Sequence, residues 1–380
     1  MSEVGQAARG VRVRFCPTCF SRLGAGSDLC PICQGGPRPA GEPVNVQRMA
    51  DRIADTIGVE RIEGFQATRF FADIFKRRTP EEVERHFAWG FPGMIPTLAD
   101  VDAHWPRPWS FLRVLGAGAL LFSFFVVGQE LFDNPNLLPG LIITGSFAAP
   151  VAMVVFFYEM NVVRNISVYH LVRLFLLGGV AALFVALLLY SVFPIDTLVG
   201  APAAGVIEEL AKLAIVIAAL RMMRLGPQSF LLNGMLIGAT VGAGFAAFES
   251  AGYAFRVLLG ELSSASMLRA MLLRGVLSPF GHIAWTAITA AALWRVSEAN
   301  TFTMAVLRDG RFLRLFALAV GLHAVWDLDA GIPAIPKYAV LAVIAVVAVL
   351  SLLQTGLRQV ARAQAVESAA PDPILVPEPQ

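Results

Sequence analysis

The chain has 380 residues, of which 56% are hydrophobic and only 15% are charged. A water-soluble domain carries about 25% charged residues, so this composition excludes an ordinary soluble protein and indicates a membrane protein. The formal net charge of +2 points to neither a basic nor an acidic partner. Charged residues are concentrated in a polar, arginine-rich region up to about residue 108, and apolar segments follow it.

Four cysteines near the N-terminus form two CxxC pairs separated by ten residues. They are Cys16, Cys19, Cys30 and Cys33. Four thiolates at this spacing can surround one zinc ion, so we predict a small zinc ribbon over residues 1–34. Two disulfides would need an oxidising compartment, and the N-terminal sequence lacks the apolar core of an export signal. We therefore expect a cytoplasmic ribbon. The pattern predicts a metal but leaves the purpose of the ribbon open, with a cytoplasmic protein as the expected class of partner and nucleic acid not expected.

Residues 35–108 are predicted to be a linker followed by short amphipathic helices in the cytoplasm. One helix should begin at Thr79, because Pro80 suits the first helical position and Glu82 can complete a capping box. Four apolar residues before it recur at helical spacing and can pack within this region or lie against the membrane. They are Phe70, Phe71, Ile74 and Phe75.

Eight apolar segments follow, in a predicted multi-pass membrane domain at 109–356. Each is long enough, at about 1.5 Å per residue, to cross a hydrocarbon layer of about 30 Å. Their approximate cores are 110–129, 138–158, 169–193, 198–220, 230–256, 276–296, 313–330 and 334–355. The expected fold class is an all-α polytopic membrane protein with about eight transmembrane helices. Residues 357–380 are predicted to be a disordered cytoplasmic tail.

The charges of the loops predict the orientation. Cytoplasmic loops carry an excess of Lys and Arg. The second, fourth and sixth connections are basic here, whereas the first, third and seventh are mainly acidic. We therefore expect a protein of the cell membrane with both termini in the cytoplasm. The fifth connection disagrees, because it carries Arg256, Arg269 and Arg274.

Ionisable residues interrupt four successive apolar segments. A charge at the centre of a bilayer costs about 2.5 kcal/mol or more on insertion scales, so such residues are rarely accidental. The fourth segment contains Glu208, Glu209 and Lys212, and the first and last of these share a helix face. An ion pair would account for the lysine and one glutamate. We expect one of the two carboxylates to hold a proton, which suits general acid–base chemistry.

The next three segments carry one or two ionisable residues each: Glu249, then His282, then His323 with Asp327. Glu249 could be a hydrogen-bonding strut between helices, and a lone histidine in an apolar helix is usually structural. His323 and Asp327 are one turn apart, where a carboxylate can fix the tautomer of the imidazole. All these residues fall between the membrane midplane and its outer face, so we predict that they converge on one buried site.

These residues together resemble the PrsW family of intramembrane proteases, which is distantly related to the CAAX prenyl protease and bacteriocin-processing group. The similarity lies in an EExxK motif at 208–212, an FxxxE motif at 245–249 and an HxxxD motif at 323–327. The stretch 157–167 also resembles a loop of that family. The resemblance covers about 111–354 and leaves the zinc ribbon outside as an accessory module.

The resemblance implies a peptidase that cleaves membrane-anchored protein substrates, of which an anti-sigma factor is one candidate, in regulated proteolysis. It implies the catalytic residues Glu208, Glu209, His323, His282 and Glu249, supported by Lys212 and Asp327. A carboxylate would activate water, and a histidine would stabilise the oxyanion or assist proton transfer. A version in which Glu and His side chains hold zinc stays open, although the sequence has no HExxH motif.

Two other functions fit a buried polar cluster. An ion- or proton-coupled transporter also uses membrane-embedded Glu, His and Asp residues. Against it, the sequence shows no inverted repeat and no pair of broken helices at matching positions. The other alternative is a catalytically inactive membrane scaffold or sensor whose ribbon recruits partners.

Overall fold

The computed structural model describes residues 46–223, 229–297, 302–329 and 331–369. The secondary structure of these residues is helical, with no strand among them, in agreement with the predicted all-α class. The four cysteines of the predicted zinc ribbon lie outside the described residues, so zinc binding there stays a prediction. The chain divides into a unit that ends at Met49 and a unit from Ala50 onward, which contains the membrane helices.

Three short helices precede the membrane domain: α1 (Val46–Ile57), α2 (Ala67–Phe70) and α3 (Pro80–Phe87). The start of α3 is as predicted. The Thr79 hydroxyl accepts a hydrogen bond from the Glu82 amide at 3.2 Å, and the Glu82 carboxylate accepts one from the Thr79 amide at 3.0 Å. The four apolar residues before it divide into two pairs: Phe70 and Ile74 are buried, whereas Phe71 and Phe75 are exposed.

Six helical stretches of the described chain are long and apolar enough to cross a membrane. They are Ser110–Phe132, Pro135–Met160, Val168–Val192, Leu231–Glu261, Ser264–Val296 and Ala334–Ala369.

The α-helices that follow α3 in chain order include those of the six stretches. They are α4 (Ser110–Phe132), α5 (Leu138–Met160), α6 (Val168–Arg173), α7 (Gly179–Val192), α8 (Asp196–Val199), α9 (Ala203–Met222), α10 (Leu231–Glu261), α11 (Ser264–Leu277), α12 (His282–Val296), α13 (Gly310–Asp327) and α14 (Ala334–Ala369). One π-helical turn, Leu174–Gly178, joins α6 to α7.

Two of the eight predicted segments are helical but are not among these six stretches. They are α9 and α13, which lie at the predicted positions 198–220 and 313–330. Both contain several charged residues, including Glu208 and Glu209 in α9 and Asp327 in α13, and these charges reduce the hydropathy of the helix. The structure therefore supports six membrane-spanning stretches, and the count of eight stays a prediction.

Helix α10 forms the centre of the bundle, since every residue from 231 to 247 is buried. Its glycines allow neighbouring backbones to approach closely. A Cβ atom on Gly238 would lie 2.4 Å from the Thr286 carbonyl oxygen of α12, and one on Gly244 would lie 2.1 Å from that of Phe175. Small residues have this role at interfaces between membrane helices. The first contact holds α10 against α12, and the second holds it against the π-helical turn between α6 and α7, so the polar residues of α10 and α12 are fixed relative to each other.

The last helix differs from the prediction at its C-terminal end. Helix α14 continues to Ala369, past position 357, where the disordered tail was expected to begin. Arg358 forms an ion pair with Glu60, so the extension is held by a contact far away in the sequence. Such a contact is not visible in a local pattern of proline and alanine. Residues 370–380 lie outside the described part of the chain.

Candidate active site

The ionisable residues of four helices meet around one cavity of about 600 Å³. The predicted site residues that line it are Glu208, Glu249, His282, His323 and Asp327. Glu209 and Lys212 are fully buried behind this layer and do not line the cavity. The structure therefore brings all seven predicted residues together, in two layers.

Three of the side chains that line the cavity place potential metal-ligand atoms close to one another. A carboxylate oxygen of Glu208 and one ring nitrogen each of His282 and His323 all lie within 4.8 Å of one another. Glu208 Oε2 is 3.7 Å from His323 Nε2 and 3.9 Å from His282 Nδ1. This oxygen is buried and has no hydrogen-bond partner. Since an unsatisfied buried carboxylate oxygen costs free energy, the arrangement fits a metal ion bound by the three residues.

Each of these histidines meets a second carboxylate through its other ring nitrogen. His282 Nε2 lies 2.9 Å from Glu249 Oε2, and His323 Nδ1 lies 2.9 Å from Glu209 Oε1. Metal-binding histidines almost always donate their second N–H to such an acceptor, which fixes the tautomer and the ring orientation. The His323 ring is also stacked on Trp285, with centroids 4.4 Å apart.

Each of the two orienting carboxylates has a cationic partner. Lys212 Nζ lies 2.5 Å from Glu209 Oε1, and Arg274 Nη2 lies 2.5 Å from Glu249 Oε2. Lysine therefore pairs with Glu209, three residues away, and not with the glutamate four residues away whose face it was predicted to share. Lys212 Nζ is also 2.9 Å from His282 Nδ1, so binding an ion through that nitrogen requires the lysine to release it.

Asp327 is the most exposed acid of the cluster. Its Oδ2 lies 3.2 Å from His323 Nε2, and its side chain is 32% exposed. This agrees with the predicted pairing one helical turn apart. A carboxylate that both touches the cavity and lies beside a histidine can exchange protons with a molecule in the cavity.

Arg274 is a site residue that the sequence did not identify. In the sequence it belongs to the basic fifth connection, which disagrees with the orientation rule. In the structure this connection contains a helix, α11, and Arg274 near its end binds both Glu249 and the Ser250 hydroxyl, the latter at 2.9 Å. An arginine that pairs with a site residue need not follow the rule that places Lys and Arg in cytoplasmic loops. The exception at the fifth connection was therefore the signal in the sequence that could have identified Arg274.

Comparison with known families supports this view of the cluster. Residues 167–353 match the PrsW family intramembrane metalloproteases. The match contains all the cavity residues described above and begins later than the resemblance expected from the motifs, which started near 111. No curated protein and no solved structure matches the chain. The PrsW match thus supports a membrane-embedded protease domain over about half of the chain, and the relation to the CAAX prenyl protease group stays a prediction.

Proposed function

We propose that this chain is an intramembrane metalloprotease that hydrolyses peptide bonds of membrane-anchored proteins. The observation that carries the proposal is the buried Oε2 of Glu208, which has no hydrogen-bond partner and lies beside His282 and His323. Two histidines and one glutamate form a ligand set that catalytic zinc sites use. The PrsW match over 167–353 independently favours a metalloprotease.

Different residues of the site would bind the metal ion and orient its ligands. Glu208, His282 and His323 would hold the ion, which when bound supplies Lewis-acid activation of water and of the scissile carbonyl. Glu249 and Glu209 orient the two imidazole rings through the hydrogen bonds described above. The paired glutamates therefore have different roles, one in the cavity and one behind it.

Proton transfer is assigned to Asp327. Its carboxylate lines the cavity beside His323 Nε2, and when that nitrogen holds the ion the carboxylate is released to face the water in the cavity. In this position it can take a proton from the attacking water and return it to the leaving amine, as a general base and then a general acid. The net result is addition of one water molecule across the peptide bond.

The substrate class follows from the place of the cavity. The cavity lies among membrane helices, and its lining includes Tyr190, Tyr253 and Tyr338. Its occupant is therefore expected to be a segment of a membrane-anchored protein, and anti-sigma factors in regulated proteolysis belong to this class. On the loop charges, we place the chain in the cell membrane with both termini in the cytoplasm, where the predicted zinc ribbon would meet a protein partner.

The test is cleavage of a single-span fluorescent reporter by the purified full chain in liposomes. Glu208→Gln should lower the cleavage rate at least about a hundredfold and remove one equivalent of bound metal. Loss of a residue that only orients a metal ligand costs about tenfold to hundredfold, and loss of a ligand itself should cost more. Glu261→Gln is the matched control, since Glu261 is exposed at the end of α10 and does not line the cavity. A chelator should inhibit the wild type, and added zinc should restore it.

Two results would contradict the proposal. One is a Glu208→Gln variant that cleaves the reporter at the wild-type rate with unchanged metal content. The other is a wild type that cleaves no reporter but moves protons or ions across the liposome in a Glu208-dependent way, which would favour the transporter.

A further inference from the structure

A second, basic pocket lies away from the active-site cavity, beside the start of α4 and the end of α5. It has a volume of about 210 Å³ and adjoins a larger cavity of about 880 Å³ with which it shares several walls. The basic pocket is lined by Arg78, Glu82, Arg85, His86, Trp89, Trp109 and Arg164. Three guanidinium groups and two indole rings therefore surround a space of the size of a small anion.

The positive charge of this pocket is not neutralised by its own acids. Its only lining acid, Glu82, is used in the cap of α3. Arg78 binds Asp73 through Nη2 at 3.3 Å, but its Nε is buried and has no hydrogen-bond partner. Within the described part of the chain, neither Arg85 nor Arg164 forms an ion pair. The guanidinium of Arg164 lies over the Trp89 ring, 4.0 Å from its centroid.

The excess of positive charge is confined to the basic pocket itself, since the adjoining cavity is lined by acids (Glu63, Asp100, Asp102 and Glu159) as well as by arginines. Burial, followed by the charges of Arg164 and Arg78, lowers the pKa of His86 to about 4, so this ring is neutral at pH 7. The nearby Glu159 does not compensate the arginines directly. Its carboxylate accepts three backbone N–H groups at the start of α4, from residues 109–111.

The basic pocket lies beside the ends of two helices that are long and apolar enough to cross a membrane. Trp109 directly precedes α4, and Arg164 follows the end of α5 by a few residues. Arg113, in the first turn of α4, donates hydrogen bonds to the carbonyls of Ile74 and Lys76 and so fixes the preceding segment beside the start of α4. That segment exposes five large apolar side chains: Phe71, Phe75, Phe91, Met94 and Ile95.

We propose that the basic pocket binds the phosphate of an anionic phospholipid headgroup. Guanidinium groups match phosphate oxygens in geometry, and the unsatisfied Nε of Arg78 offers a donor for one of them. Tryptophan is enriched at the membrane–water interface, and Trp89 and Trp109 line the pocket. The exposed apolar side chains, of which Phe75 is 93% exposed, would enter the boundary of the acyl chains, as those of an interfacial helix do. This inference does not depend on the proposed protease activity.

The test measures lipids retained by the purified full chain in native mass spectrometry, with phosphatidylglycerol and phosphatidylcholine offered in equal amounts. The wild type should retain phosphatidylglycerol preferentially. Arg85→Gln and Arg164→Gln should each weaken this binding about fivefold, the factor that corresponds to one interfacial cation. Arg77→Gln removes a nearby charge outside the pocket and should leave the preference unchanged.

The outcomes separate the sources of the anion. Retention that persists against millimolar inorganic phosphate and is weakened about fivefold in each pocket variant supports a headgroup site. Inorganic phosphate that displaces the lipid and binds with similar strength overturns the lipid assignment in favour of a soluble phosphate. Equal retention of the two lipids, or an equal loss in Arg77→Gln, overturns a specific pocket. Arg85 is exposed and outside the membrane helices, so its variant is expected to fold.

Discussion

Glu208 and Glu209 are neighbours in the sequence but lie in different surroundings. The Glu208 side chain is 12% exposed and faces the cavity, whereas that of Glu209 is 0% exposed. Glu209 lies between two partners, Lys212 and His323, and forms hydrogen bonds with both. One carboxylate is therefore open to a ligand, and the other is part of the packed interior.

We expect Glu209→Gln to destabilise the fold and Glu208→Gln to leave it nearly unchanged. Removal of one partner from a buried ion pair costs about 3–5 kcal/mol, because the remaining charge of Lys212 is left uncompensated. The measurement is the free energy of unfolding in detergent. The double variant Glu209→Gln/Lys212→Met is the control and should recover much of the loss. Equal stability of both single variants would contradict this division of roles.

Arg274 is expected to act on metal binding through Glu249 and His282. Arg274→Gln should weaken the affinity for the proposed active-site metal about tenfold to hundredfold, as loss of a residue that orients a metal ligand does. Arg274→Lys should restore part of it. The affinity is measured by competition with a chelator, and Arg269→Gln, an exposed residue of the same helix, is the control. An unchanged affinity in folded Arg274→Gln would show that the arginine only stabilises the helix packing.

His86 should make the stability of the fold depend on pH. Its pKa is lowered from 6.5 to about 4, so the unfolded chain binds a proton below pH 6.5 that the folded chain does not. The stabilisation is complete above pH 6.5 and is lost as the pH falls towards 4, by about 3 kcal/mol in total. The unfolding free energy of the wild type, measured without phosphate, should show this loss relative to His86→Gln. Parallel pH profiles of the two proteins would contradict it.

At the scale of elements, the position of α10 depends on glycines that face other backbones. Gly244 faces the Phe175 carbonyl, and Gly242 faces that of His282, which a Cβ atom would approach to 2.4 Å. By contrast, a Cβ atom on Gly252 of the same helix would meet nothing within 4 Å. Gly242 and Gly244 therefore allow close backbone packing, whereas Gly252 of the same helix does not contribute to it.

Gly244→Ala should destabilise the protein by about 1–3 kcal/mol, the usual cost of added volume in a packed interior. Gly252→Ala is the matched control and should change the stability by no more than about 1 kcal/mol, because alanine is the better helix former. Thermal unfolding in detergent measures both. A similar loss in the two variants would mean that flexibility of α10, and not its close packing, explains the glycines.

At the scale of the whole molecule, the main open prediction concerns α9 and α13. Both pack among the membrane helices and carry site residues, but neither is apolar enough to count among the six spanning stretches. If the polar cluster is enclosed by the other helices, the charges of α9 and α13 avoid lipid. We therefore expect both helices to cross the membrane.

Cysteine labelling tests this topology. In a background with serine at Cys16, Cys19, Cys30 and Cys33, single cysteines replace Leu198, Thr303 or Ile332, which are all exposed. Leu198→Cys and Ile332→Cys should react with an impermeant maleimide from outside the cell, and Thr303→Cys only after permeabilisation. Labelling of Leu198→Cys and Thr303→Cys from the same side would show that α9 does not span. The same result for Thr303→Cys and Ile332→Cys would exclude a spanning α13.

Much of the fold was predictable because its signals are local. Hydropathy over about twenty residues marks a membrane helix, and the cap of α3 depends on three neighbouring residues. The set of polar motif residues was also predictable, since charge inside an apolar segment is conspicuous whatever surrounds it.

The sequence by itself determined that this is a helical membrane protein with ionisable residues on four successive apolar segments. Only the tertiary structure decided that Lys212 pairs with Glu209 and that Arg274 belongs to the site. It also decided that α14 continues to Ala369, where Arg358 pairs with Glu60. The physical reason is that a helix can turn about its axis without changing its sequence pattern. Which charges meet depends on how the helices pack, and that is decided by contacts between residues far apart in the chain.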